Sequence, residues 1–135
     1  DLIHEIDYAL YLFGEPERSL RISGKFSPLK IDSDDGGAYI LSYPDKLVEI
    51  HLDYFGRTAR REIELICDEG TFVGDLLQYR LRCLETGEAE SFHREDMNKK
   101  EMDYFLHQVE RGEPTFNTLA RAWRTLSWAE GGGSF

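Results

Sequence analysis

The sequence predicts an α+β fold, a two-layer domain in which a largely antiparallel, open sheet carries helices on one face. Three observations predict it. Both ends of the chain space their apolar residues at i, i+3, i+4 and i+7, as amphipathic helices do, while the middle, from Ser19 to about His93, alternates with a period of two. The turns between the alternating runs are too short for anything but antiparallel neighbours. No linker or internal repeat divides residues 1–135, so a single domain is expected.

The opening DLIHEIDYALYLFGE places Ile6, Ala9, Leu10 and Phe13 on one helical face, and Gly14 followed by Pro16 ends the helix. Alternating runs follow at about Leu20–Phe26, Ala38–Tyr43, Val48–Phe55, Glu62–Cys67 and Tyr79–Leu84, with shorter ones at Thr71–Gly74 and Ala89–Phe92. Asp35-Gly36-Gly37, Tyr43-Pro44-Asp45-Lys46 and Asp68-Glu69-Gly70 supply turn chemistry between them. The expectation is one antiparallel meander of five to seven strands. In the segment Glu95–Arg111, Met102, Phe105, Leu106 and Val109 share a face and Gly112 and Pro114 stop the helix. Leu119, Ala122, Trp123 and Leu126 share a face of a last helix, and the run Gly131–Gly133 ends the order of the chain.

Composition excludes several function classes. Sixteen Lys and Arg against 26 Asp and Glu leave a net charge of −10, which repels phosphate backbones and anionic lipid, so neither nucleic acid nor a membrane surface is an expected partner. No apolar run reaches the ~20 residues that cross a bilayer. A cytoplasmic protein is expected. Cys67 and Cys83 are too few for a disulfide scaffold and are expected as buried thiols. Because Asp1 opens directly inside a helical pattern, the chain is expected to be a piece of a longer protein.

If the helices cover the Val48, Ile50 and Leu52 face of the sheet, Tyr39, Leu41, Tyr43, His51, Phe55, Ile66 and Leu84 point the other way. They would lie beside Glu62, Glu64, Arg80 and Arg82, which could pair across neighbouring strands or across a two-fold axis. Aromatics and Arg on an open face are the composition of an interface core, so a homodimer or tetramer through this face is expected.

His4 is the best candidate for chemistry, because imidazole gives and takes protons near neutral pH. On an α-helix Asp1, His4, Tyr8 and Tyr11 fall in a stripe about 80° wide, nearly opposite the apolar one. Asp1, one turn before His4, could hold the ring, and Tyr8 and Tyr11 could line a substrate pocket. The plainer reading of the same spacing is a solvated helix start. His51 and Asp53 share one side of a strand without a third ligand, so no metal site is expected. Glycine-rich dinucleotide, P-loop and hydrolase motifs are all absent, so no cofactor site is expected within this chain.

The opening DLIHEIDYALYLFGEP resembles the helix of the Gfo/Idh/MocA oxidoreductases, relatives of glucose-fructose oxidoreductase and inositol dehydrogenase, which carries a His-x-x-Asp pair after an upstream Asp. His4 and Asp7 match the pair and Asp1 takes the upstream acid's place. REIELICDEGTFVGDL resembles the family's strand, Glu-Gly-Thr turn and strand, and FLHQVERGEPTFNTLARAWRTLSWAE its two closing helices. The resemblance implies a C-terminal substrate-binding and oligomerisation domain, with NAD or NADP bound mainly by a Rossmann domain absent from this chain. It implies an NAD(P)-dependent dehydrogenase of a sugar, sugar nucleotide or cyclic polyol, inactive as this fragment alone, with His4 exchanging the substrate hydroxyl proton and Asp1 contacting substrate. The alternative from another class is a non-enzymatic module for sheet-mediated dimerisation or for ligand binding on the His51 and Asp53 face.

Overall fold

A computed structural model describes residues 3–94 and 96–131. Asp1, Glu95, Gly132 and Gly133, to which the sequence assigns roles, lie outside the described residues. The order is α1 (Ile3–Phe13), β1 (Arg18–Gly24), β2 (Gly36–Ser42), β3 (Leu47–Asp53), β4 (Glu62–Cys67), β5 (Gly70–Asp75), β6 (Arg80–Cys83), β7 (Ala89–Ser91), α2 (Met97–Arg111) and α3 (Leu119–Ala129). Each falls within a few residues of its expected place, and the class is α+β with open antiparallel sheets. The strands pair as two meanders, β1-β2-β3 and β4-β5-β6-β7, instead of one. Residues 54–61, Tyr-Phe-Gly-Arg-Thr-Ala-Arg-Arg, interrupt the alternation between them. Among the described residues no helix is long and apolar enough to cross a membrane.

The chain forms two compact units. The first runs to Phe55 and resumes at Pro114. Here α1 buries Ile6 and Ala9, and Ala9 meets Leu41 and Tyr43 with Phe13, Val48 and Ile50 packed around them. Gly14 ends α1 at φ +79°, a left-handed conformation that costs other residues strain, and its N–H donates to the Leu10 carbonyl at 3.0 Å. The Tyr43 hydroxyl donates to the Gly14 carbonyl at 3.0 Å, so the sheet holds the end of the helix. Burial raises the Tyr43 phenol above its ordinary pKa, keeping it protonated as the donor.

Register corrects the assignment of faces. Leu41 stands opposite Val48, and Tyr39 opposite Ile50. Directly opposed residues of an antiparallel pair project to the same side, so Tyr39, Leu41 and Tyr43 belong to the helix-covered face with Val48 and Ile50. All three are buried. The four-residue turn Tyr43–Lys46, closed by the Tyr43 N–H to the Lys46 carbonyl at 3.0 Å, sets that parity. The open face of this sheet carries instead Ile22 opposite Ala38, Leu20 opposite Ile40, and His51 opposite Ala38.

The second unit, Gly56–Glu113, holds the other meander and α2. Glu64, Val73 and Arg82 form one row across β4, β5 and β6. Strand β5 therefore separates Glu62 and Glu64 from Arg80 and Arg82, so they are not neighbouring-strand pairs, and Glu62 accepts instead from Arg60. Cys67 is exposed and Cys83 half-buried, both as free thiols, because the β4–β5 turn carries Cys67 to the surface, where its Sγ donates to the Gly70 carbonyl at 3.2 Å. In α2 the Asp96 side chain caps the N-terminus by accepting from the Lys99 N–H, and Gly112 ends the helix at φ +65°. Its apolar stripe of Met102, Phe105, Leu106 and Val109 is exposed.

Candidate functional site

Of the sequence-predicted site residues, His4, Tyr8 and Tyr11 lie on α1, whose orientation is set by contacts on two sides. Ala9 packs with Leu41 and Tyr43 of the sheet, and Ile6 is buried three residues before it. Helix α3 takes the other flank through Asp7, Tyr11 and the following Glu15. Asp7 Oδ1 accepts from the Thr125 hydroxyl at 2.8 Å, and Glu15 Oε1 accepts from Arg124 Nη1 at 2.6 Å. The Tyr11 ring meets Phe116 edge-on with centroids 5.6 Å apart. The Arg121 guanidinium lies over both rings, 4.1 Å from the Phe116 centroid and 5.4 Å from that of Tyr11, a cation–π arrangement favoured by the negative ring faces.

This packing leaves His4 exposed on the first turn of α1 and Tyr8 half-buried one turn further on. Tyr11, still 60% exposed, has part of its ring engaged by Phe116 and Arg121. Asp1 lies outside the described residues. An accessible imidazole on a helix fixed from two sides is suited to proton exchange with a molecule docked from solvent. Asp7, the acid that follows His4 by three residues, is engaged by α3.

Helix α3 reverses an expectation. Leu119 and Trp123, on the face the sequence marks as apolar, are 88% and 69% exposed, and the helix buries Thr125. Its inner side meets Asp7 and Tyr11 of α1 and the following Glu15, so a hydroxyl and two guanidiniums make the contact. Sequence reasoning missed Thr125, Phe116 and Arg121, because none belongs to an apolar period and their partners on α1 lie about a hundred residues away.

It also missed Asp35, read only as part of a turn. Asp35 has no exposed surface, and its carboxylate accepts from Lys25 Nζ and the Phe26 N–H, both at 2.6 Å, from the Ser27 N–H at 3.1 Å, and from the Ser27 hydroxyl. Burial by itself would raise its pKa, but the Lys25 ammonium and the Phe26 and Ser27 donors outweigh burial and hold the carboxyl well below its ordinary range. This is a clasp on the β1–β2 connection, with every carboxylate contact local. A Cβ at Gly36 beside it would sit 3.0 Å from the Phe26 ring and 3.1 Å from that of Phe55, so a larger residue there would press both rings back by a few tenths of an ångström.

His51 Nε2 lies 3.2 Å from Asp53 Oδ2 on the open side of β3. Among the described residues no three His, Cys, Asp or Glu side chains gather as a metal site. A shallow cavity of about 450 Å³ in the second unit is lined by Tyr79, Arg94, Asp96, Met97 and Asn98, none of them a sequence-predicted site residue.

The N-termini of α2 and α3 do not offer a dinucleotide site. A pyrophosphate is held by a glycine-rich strand-to-helix turn that presents free N–H groups at a helix N-terminus. Here the β7–α2 connection contains no glycine, and the Asp96 carboxylate already occupies the α2 N-terminus; that of α3 is capped by the Thr118 hydroxyl.

No family model and no curated protein matches the sequence. Solved structures do match the fold. UDP-N-acetylglucosamine 3-dehydrogenase of Acidithiobacillus ferrooxidans superposes with a TM-score of 0.78 at 20% identity, over 96% of this chain and 43% of its own. A protein of Desulfitobacterium hafniense assigned as an NADPH-dependent oxidoreductase gives 0.75 at 13% identity, over 93% of this chain and 41% of its own. An assigned oxidoreductase of Klebsiella pneumoniae gives 0.74 at 16%, over 96% and 44%. The chain thus has a fold found within these oxidoreductases, and it spans less than half the length of the structures it matches.

Proposed function

We propose that this chain is the C-terminal, substrate-binding and oligomerisation half of a cytoplasmic NAD(P)-dependent oxidoreductase of the Gfo/Idh/MocA family, acting on a sugar, sugar nucleotide or cyclic polyol. The observation that carries it is the fold. Nearly the whole chain superposes on less than half of each matched oxidoreductase, which leaves room in such a protein for a separate dinucleotide-binding domain. NAD or NADP belongs in that domain, outside this chain, where it would supply the hydride acceptor or donor.

In this reading His4 takes or returns the substrate hydroxyl proton from the open side of α1. Asp1 supports the ring or contacts the substrate, and Tyr8 and Tyr11 form walls of the pocket. The homodimer or tetramer uses the open sheet face, now made of Leu20, Ile22, Ile40 and His51 in place of Tyr39, Leu41 and Tyr43. In the complete protein His4→Ala is expected to lower kcat/KM by about 10²-fold or more, the usual contribution of a positioned acid–base group. A value within about twofold of wild type would overturn the assignment.

A further inference from the structure

We infer that Thr125 is a positioning residue for His4, acting through Asp7; this rests on the oxidoreductase reading above and adds to it a residue of α3. Thr125 is 5% exposed, the one buried residue of a helix whose apolar face lies open. A buried hydroxyl without a partner is costly, and two acceptors stand near this one: Asp7 Oδ1 at 2.8 Å and the Arg121 carbonyl at 3.3 Å. Threonine has a single hydroxyl proton, and the shorter contact, to an ionised acceptor, takes it. Charge-assisted bonds of this kind are the strong ones.

Asp7 follows His4 by three residues, so the two side chains neighbour one another on the helix surface. The Thr125 bond fixes the rotation of α1 about its own axis at the turn next to His4. The contacts of Tyr11 with Phe116 and Arg121, and of Glu15 with Arg124, act one and two turns farther from it. Ile6 and Ala9 are buried at the same turns of α1, but apolar packing is non-directional, whereas a hydrogen bond has a preferred direction. Small displacements of a proton-exchanging group cost rate steeply, whereas substrate affinity depends on the whole pocket.

The test uses the complete protein, with Thr125→Val, which keeps the volume and removes the hydroxyl, Thr125→Ser, which keeps the hydroxyl, and each combined with His4→Ala. Rates are expressed per folded molecule, counted by circular dichroism. Thr125→Val is expected to lower kcat about 10-fold with KM within about twofold. Thr125→Ser should restore kcat to near wild type, and in the His4→Ala background Thr125→Val should lower kcat no further. A purely structural threonine would change the folded fraction and leave kcat per folded molecule alone. Should Thr125→Val not fold, Asp7→Ala removes the same bond from the other side and is expected to show the same kcat loss, also absent when His4 is alanine.

The inference is overturned if the tested variant keeps kcat within about twofold of wild type, or if the loss persists undiminished without His4. Failure of the oxidoreductase reading is a separate result, since it appears in His4→Ala alone. A full effect of His4→Ala beside an inert Thr125→Val sinks only the positioning role.

Discussion

Leu41→Ala tests the assignment of faces on which the candidate site depends. Leu41 is 1% exposed and sits between α1 and the sheet with Ala9 and Tyr43. Truncating a fully buried leucine removes its transfer free energy and leaves a cavity, together about 2–5 kcal/mol. With rigid neighbours on both sides, the Ala9 helix turn and the β3 strand, little collapse is available, and we expect about 3 kcal/mol. With a urea m-value of about 1–3 kcal/mol/M, the unfolding midpoint should fall by about 1–3 M. Both tryptophans, Trp123 and Trp128, belong to α3, so their fluorescence follows the unit that contains Leu41. The control is Leu119→Ala on α3, where the side chain is 88% exposed and the loss should stay under about 1 kcal/mol. Equal losses for the two variants, or a loss under about 1 kcal/mol for Leu41→Ala, would show that Leu41 does not face the helix and would return it to the open side.

Two further outcomes follow from single contacts. Tyr43→Phe deletes the hydroxyl that donates to the Gly14 carbonyl and should cost about 0.5–1.5 kcal/mol, read as a lowered melting temperature; an unchanged melt would mean that this bond does not hold the end of α1. Asp35 has its folded pKa depressed below its ordinary 3.8, so its stabilisation is present above pH 3.8 and is lost as the pH falls below that value. Glu85, held near 2 instead of 4.5 chiefly by the Thr71 N–H, adds acid sensitivity between pH 4.5 and 2. Urea midpoints measured from pH 6 to 2 should fall less steeply for Asp35→Asn than for wild type, and parallel curves would refute the clasp.

The sequence by itself determined the element inventory and the class. Periods of 3.6 and 2 are local properties of a side-chain pattern, and glycine at a left-handed cap is a local requirement, so α1, the seven strands, α2 and α3 were legible along with the stops at Gly14 and Gly112. His4 was legible as a candidate for the same reason, since helical spacing alone puts it on the polar stripe of α1. What only tertiary structure decided was pairing. Strand β2 has apolar residues on both of its faces, Ala38 and Ile40 against Tyr39 and Leu41, so its orientation waits on the register with Val48 and Ile50. The division into two meanders depends on where residues 54–61 leave the sheet. The side of α3 that meets α1 depends on Asp7, Tyr11 and Glu15 reaching Thr125, Arg121 and Arg124 across more than a hundred residues of chain. Hydrophobic period predicts which face could be buried, but a hydrogen bond between two polar residues distant in sequence has no period to reveal it.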